Sequence, residues 1–312
     1  MTLKIKDLEV GGLASLDVLV DSVNMGTTSK GAPFLTVGIS DDTGSLSFKV
    51  WDSTDKDFKE LSSAQMLKVA GVVGEFGGRL QLNNVRYTIV HNPTEQDLRS
   101  LVRSAPLEGS EVVDRIFNMI ETVADREYRE VTLSILNTYK EELISYPAAK
   151  GMHHAYLGGL AFHTYSMMLI GEQLAKLYPR VDRDLLLCGT ALHDIGKIVE
   201  YTGPINTDMT KEGKLIGHIS IMHEELRMQW SDLGFSDEDK LVLLQHMVLS
   251  HHGKREYGSP VVPSTLEAIF LNFADGIDAK FDAISHALDQ VEVGEFTPKV
   301  FAANGTQFYR HK

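Results

Sequence analysis

The chain has 312 residues, 43% hydrophobic and 23% charged, enough for two domains with proper cores. A net charge of −13 argues against a protein that grips nucleic acid over its whole surface, and no stretch is long and apolar enough to span a bilayer. One cysteine, Cys188, rules out an internal disulfide; with an N-terminus, MTLKIKDLEV, that lacks the apolar core of a secretory signal, it points to a cytoplasmic protein.

Residues 1–91 read as β structure. Leu35, Val37 and Ile39 alternate with Thr36 and Gly38, and Asp41–Gly44 is a turn signal. Leu46, Phe48 and Val50 then alternate with Ser47, Lys49 and Trp51. Val69–Val73 is a short apolar run, Gly77-Gly78 is a hairpin turn, and Leu80, Leu82, Val85, Tyr87 and Ile89 continue the alternation across an interruption at Asn83-Asn84. Five or so short strands with tight turns predict a small barrel, although periodicity does not separate an OB-fold from other small barrels. On this pattern Phe34, Lys49 and Trp51 face away from the core. An outward aromatic beside a lysine is what a single-strand platform needs, because every base has a stackable face. Arg79 would add a phosphate contact; packing of Phe34 and Trp51 under a neighbouring helix is the competing reading.

The composition changes at His91. Thr94 is placed to cap a short helix, and Ser110 to open another with Ile116, Met119, Ile120 and Val123 on one face. A further helix carries Val131, Ile135, Leu136, Tyr139 and Leu143 and stops before Pro147. Residues 92–149 thus read as a helical connector. Residues 150 to about 290 read as helices throughout, with a short aromatic tail from Gly294. The charge is uneven: residues 1–91 hold 9 Lys/Arg and 11 Asp/Glu, and residues 92–312 hold 21 and 32.

All of the 12 histidines except His91 lie beyond residue 150. His163, His193-Asp194, His218, His251-His252 and Asp275 follow one another at intervals of 30, 25, 33 and 24 residues. Any one of them alone is more often a satisfied core residue than a ligand, but packing does not explain the joint pattern. Imidazole nitrogen and carboxylate oxygen together suit Mn, Fe, Co, Ni or Zn. An adjacent His-Asp pair lets Asp194 bridge from one metal to a second, and two metals can clamp a phosphodiester. His163, His193, Asp194, His218, His251 and Asp275 are therefore the predicted ligands, two divalent ions per site, with Asp194 and Lys197 as the catalytic pair. Lys197 is placed to meet a phosphate oxygen. His153, His154, His252 and Lys254 are assigned to substrate, and the spacing leaves open which of His251 and His252 is the ligand. Asp278, near Asp275 on one helix face, is a candidate second partner for a ligand.

The spacing H…HD…H…HH…D resembles the HD superfamily of metal-dependent phosphohydrolases. The strings Met152-His-His-Ala-Tyr-Leu-Gly-Gly-Leu-Ala-Phe-His-Thr164, Leu192-His-Asp-Ile-Gly-Lys197 and Ser250-His-His-Gly-Lys-Arg-Glu-Tyr-Gly-Ser-Pro260 are similar to the YhaM family of 3′→5′ exoribonucleases. In Asn272–Lys280 the closing motif is matched apart from Gly276. The resemblance implies a multidomain chain: an N-terminal all-β OB-fold-like barrel at residues 1–91, the connector at 92–149, an all-α HD domain at 150–293 and a tail at 294–312. It also implies Mn2+ as the metal, with Co2+ or Fe2+ as alternatives, and single-stranded RNA as the main partner, with some action on single-stranded DNA. No membrane partner is expected; a homo-oligomer is compatible with the sequence. The competing functions are a nucleotidase or cyclic-dinucleotide phosphodiesterase, and an RNA-binding protein without catalysis.

Overall fold

The computed structural model describes residues 3–77, 79–149, 156–205 and 207–312, without the side chains of Arg79 and Glu95. It divides into two compact units, Met1–Arg103 and Ser104–Lys312.

The first unit is a closed barrel of five strands: β1 (Leu13–Thr27), β2 (Pro33–Asp41), β3 (Gly44–Trp51), β4 (Met66–Phe76) and β5 (Arg79–Ile89). Their order around the barrel is β1-β2-β3-β5-β4, antiparallel throughout except for a short parallel β3–β5 pairing. Helix α1 (Asp55–Ser63) lies between β3 and β4 in sequence. Leu35, Val37 and Ile39 of β2 and Leu46 and Phe48 of β3 fill the interior, as alternation predicts. The Asn83-Asn84 interruption is a bulge: the β4–β5 register slips between Ala70 and Val72, and Asn84 takes a left-handed φ of 51°.

Two elements here were not legible as periodicity. Strand β1 carries the continuous apolar run Val18-Leu19-Val20, all buried, and its register against β2 shifts between Val20 and Ser22. The bulge breaks the period that would have announced a strand. Helix α1 is short, and its signal is a capping box in which Thr54 and Asp57 satisfy each other's backbone N–H groups. The same device starts α2 (Glu95–Arg99) at the predicted cap Thr94, with Asp97 as its partner.

The second unit is helical. Helices α3 (Gly109–Glu121), α4 (Arg126–Thr138) and the short α5 (Lys140–Leu143) bury the expected apolar faces, including Ile116, Ile120, Val131 and Ile135. Helix α3 begins one residue before Ser110, and Glu108, not Ser110, is its N-cap. There follow α6 (Gly159–Leu177), α7 (Arg183–Leu192), α8 (Lys197–Glu200), α9 (Lys211–Leu215), α10 (His218–Asp232), α11 (Glu238–Ser250) and α12 (Leu266–Asp289). Helix α7 is the hub: Leu185 through Leu192 are all buried, Cys188 among them, and α3, α4, α6, α11 and α12 pack against it. The tail turns back on itself through bridges Phe296–Tyr309 and Val300–Thr306. Arg310 ties it to the end of α12 by donating to the Val291 and Leu288 carbonyls at 2.6 and 3.3 Å. Among the described residues no helix is long and apolar enough to cross a membrane.

Candidate metal centre

Helix ends build this site. His193 caps the C-terminus of α7, Asp194 follows in the turn, and Lys197 opens α8. His218 is the first residue of α10 and His251 caps the C-terminus of α11. His163 stands on α6, and Asp275 and Asp278 on α12. Five segments far apart in sequence thus meet at one buried point.

The carboxylate of Asp194 is its centre. The Nε2 atoms of His193 and His163 lie 3.3 and 3.8 Å from Oδ2, and those of His251 and His218 lie 3.5 and 3.6 Å from Oδ1. His163, His193, Asp194 and His251 are almost wholly buried, with side-chain exposures of 3% or less. Asp275 sits beside His163, Oδ1 to Nε2 at 3.5 Å.

Every one of these four rings is fixed from behind. His193 and His251 donate Nδ1–H to Thr190 O at 2.7 Å and Val248 O at 2.8 Å. Each acceptor is a last-turn carbonyl, which the helix itself leaves without a partner. His218 Nδ1 lies 3.1 and 3.2 Å from the two oxygens of Glu200, and His163 Nδ1 lies 2.7 Å from Asp278. With Nδ1 committed, Nε2 carries the lone pair, and all four Nε2 atoms turn inward. Asp278 was legible in the sequence through its helical spacing from Asp275. Glu200 was not: nothing in its neighbourhood marks it, since its partner stands 18 residues further on.

The charges agree with this geometry. Burial alone would push the Asp194 carboxyl up, but Lys197 and His193 outweigh it and hold the group well below the usual carboxylate range. Burial would likewise lower the Lys197 ammonium; its contact with Asp194, 2.6 Å from Nζ to Oδ2, raises it instead. Glu200, against its own burial, is lowered by His218.

Nine buried side-chain polar atoms of the described residues lack a hydrogen-bond partner, and four of them are here: Nε2 of His193, His218 and His251, and Oδ1 of Asp194. Orphaned polar atoms are costly in a core. Converging lone pairs with no donor between them are the signature of a cation site, and the N/O donor set suits a divalent metal. His163, His193 and Asp194 form one group with metal-ligand spacing; His218, His251 and His252 form another.

Two glycines make room. A Cβ on Gly196 would run into the carbonyl oxygen of His218, so the turn after Asp194 and the start of α10 meet backbone to backbone. Gly253, at a φ of 78°, lies where a side chain would strike Asn272, whose amide donates to His251 O at 2.8 Å.

Residues 160–280 match the family model described as HD domain. This stretch is an HD domain. It contains all six predicted ligands, His163, His193, Asp194, His218, His251 and Asp275, together with Lys197 and His252. HD domains are typically metal-dependent phosphohydrolases, and the cluster fits that chemistry.

The residues assigned to substrate fare differently. His153 and His154 lie outside the described residues. His252 stands next to the cluster, its ring centroid 4.3 Å from that of His251 and 5.3 Å from that of His218. Lys254 is exposed, over the Tyr257 ring at 5.3 Å and 3.5 Å from Glu256. Arg79 pairs with Phe76 at the start of β5.

On the barrel, Phe34 and Trp51 are cross-strand partners with ring centroids 5.3 Å apart, and Thr36 pairs with Lys49. Lys49 Nζ lies 4.8 Å from the Phe34 centroid and 5.1 Å from that of Trp51. Trp51 is 58% exposed. Phe34 also faces Gly26 on β1, where a Cβ would enter its ring, so the phenyl lies over the strand. The outward aromatic-lysine face read from alternation is a real patch spanning three strands.

Proposed function

We propose that this protein is a metal-dependent phosphodiesterase that degrades single-stranded RNA from its 3′ end, and single-stranded DNA as a secondary substrate. The observation that carries the chemistry is the convergence of four back-tethered imidazole Nε2 atoms on one buried carboxylate. Single-stranded substrate is supported by the Phe34–Lys49–Trp51 face, which a nucleotidase would not need. RNA over DNA, 3′→5′ polarity and Mn2+ rest on the resemblance to YhaM exoribonucleases.

His163, His193 and Asp275 would hold one divalent ion, His218 and His251 a second, with Asp194 shared between them. When bound, such ions lower the pKa of water and neutralise charge on a phosphodiester. The chain's own part is positioning. Glu200, Asp278 and two helix-end carbonyls hold the rings so that nothing need reorganise. Lys197 keeps Asp194 ionised and would meet a phosphate oxygen of the bound strand. The barrel face would stack bases while its lysine meets the backbone.

The test is purified protein with Mn2+ and a 5′-labelled single strand. Stepwise shortening is expected, stopped by EDTA, by a blocked 3′ end and by His193→Ala. Immediate release of labelled mononucleotide would overturn the polarity. Cleavage of free nucleotides or cyclic dinucleotides in preference to the strand would overturn the substrate.

A further inference from the structure

Tyr257 has no task in the proposed chemistry. It closes the short turn Arg255–Tyr257 and is 63% exposed. A single exposed aromatic means little by itself. Its attachment sets this one apart. The Tyr257 carbonyl accepts Nδ1–H of His252 at 2.8 Å, and Gly258 follows at a φ of 103°, a backbone turn that favours glycine. The His252 ring in turn stands 4.3 Å from that of His251 and 5.3 Å from that of His218, centroid to centroid. One hydrogen bond and one ring therefore separate the Tyr257 backbone from the buried cluster. The turn is also held from within, by Tyr257 N–H on the Lys254 carbonyl at 3.0 Å and Gly258 N–H on that of Arg255 at 3.1 Å. A ring on so constrained a backbone stays near the cluster.

The turn carries the charge a nucleic acid needs. Lys254 Nζ lies 5.3 Å from the Tyr257 ring centroid, a cation over an aromatic face. Lys254 and Arg255 are both exposed, and between His251 and Thr265 the single acid is Glu256. Residues 92–312 as a whole hold 21 Lys/Arg against 32 Asp/Glu, so the turn reverses the prevailing charge. Glu256 stands 3.5 Å from Lys254, but their side chains are 69% and 63% exposed, and an ion pair so open to water yields to a phosphate at little cost. The barrel shows the same combination, with Lys49 over Phe34 and Trp51.

We infer that Tyr257 is the platform for the last base of the strand, the one whose phosphodiester meets the metal centre, and that Lys254 meets backbone phosphate beside it. Every base has a face on which an aromatic can stack, so this platform grips any 3′ end without reading its sequence. This rests on the single-strand nuclease reading above. The tether to His252 uses the main-chain carbonyl, which any residue supplies at position 257. Replacing the side chain therefore removes the platform and leaves His252 held.

The experiment compares two 5′-labelled single strands, one complete and one with an abasic 3′-terminal nucleotide, on full-length protein with Mn2+. Wild type should show a KM about tenfold or more higher for the abasic strand, with kcat changed much less, because stacking lost equally from ground and transition states appears in KM. Tyr257→Ala should raise KM by the same factor on the complete strand and by nothing further on the abasic one. Tyr257→Phe, which keeps the ring, should behave as wild type on both. Bound Co2+, followed by its visible absorption, should be the same in all three proteins. With metal withheld, the fluorescence of a 3′-terminal 2-aminopurine should be quenched on binding to wild type and not to Tyr257→Ala. Additive losses from base and ring, a Tyr257→Ala protein with wild-type KM, a Tyr257→Phe protein as impaired as the alanine variant, or Co2+ binding altered by either substitution would overturn the inference and leave the nuclease reading standing. Wild-type protein that shortens neither strand would overturn the nuclease reading, and this inference with it.

Discussion

Lys197 places its ammonium 2.6 Å from Oδ2 of Asp194, and the other oxygen of that carboxylate has no hydrogen-bond partner. One side chain thus does two jobs. It compensates a buried cation and leaves a free oxygen beside the Nε2 atoms of His218 and His251. Asp194→Asn should abolish hydrolysis. Asp194→Ala should also destabilise the fold, by about 3–5 kcal/mol, because it strands a buried ammonium. Combining either change with Lys197→Met should recover most of that stability without recovering activity. Urea denaturation checks this, and a single Asp194→Ala protein as stable as wild type would contradict it.

Glu200 holds the His218 ring through both carboxylate oxygens. Glu200→Gln removes the charge and half of the accepting capacity. Metal affinity should fall about 10–100-fold, and excess metal should restore turnover. A titration with Co2+ followed by its visible absorption would show it. Lost turnover with wild-type metal affinity would mean that Glu200 acts in some other way.

The site was legible in the sequence to the extent that chemistry is local. The His-Asp-x-Gly-Lys string and the later His-His-Gly string announce donors, and their residues do converge. What the sequence left open is geometry. It did not separate His251 from His252, because adjacency says nothing of direction; the structure buries His251 against Asp194 and sets His252 beside it. Glu200 stayed hidden because its role depends on where α8 ends relative to α10. In the barrel, β2 and β3 were readable from strict alternation, and β1 was obscured by its bulge.

The barrel face can be separated from the metal site. Lys49→Ala with Trp51→Ala should weaken capture of long single strands by about tenfold or more, since stacking of one base is worth about 1–3 kcal/mol. Hydrolysis of a dinucleotide should be nearly unchanged. Gly26→Val, which would displace the Phe34 ring, should reproduce part of the loss. Equal losses on long and short substrates would assign the patch to folding.

Asp125 caps α4 and receives Lys240 of α11 at 2.6 Å. Burial pushes its carboxyl up, but Lys240 and the Tyr128 and Glu127 N–H groups prevail, and the folded value lies below the ordinary one. The sign follows: the stabilisation is complete above the ordinary carboxylate pKa of about 3.9 and is lost as pH falls through the lower, folded value. Asp125→Asn should therefore be less stable than wild type at pH 7, with a gap that closes in acid. Urea midpoints across that range would show it, and a gap that persisted at the acid end would refute the assignment.

Gly196 bears no donor and no charge, yet it stands in the His193–Lys197 string because the His218 carbonyl fills the space a side chain would need. The string is thus one half of a lock whose other half lies a whole segment away. Grafting those five residues onto the end of a foreign helix would transplant ligands without their spacing. Replacing Gly196 with alanine in the native chain would do the converse, leaving every ligand in place and prising Asp194 and His218 apart.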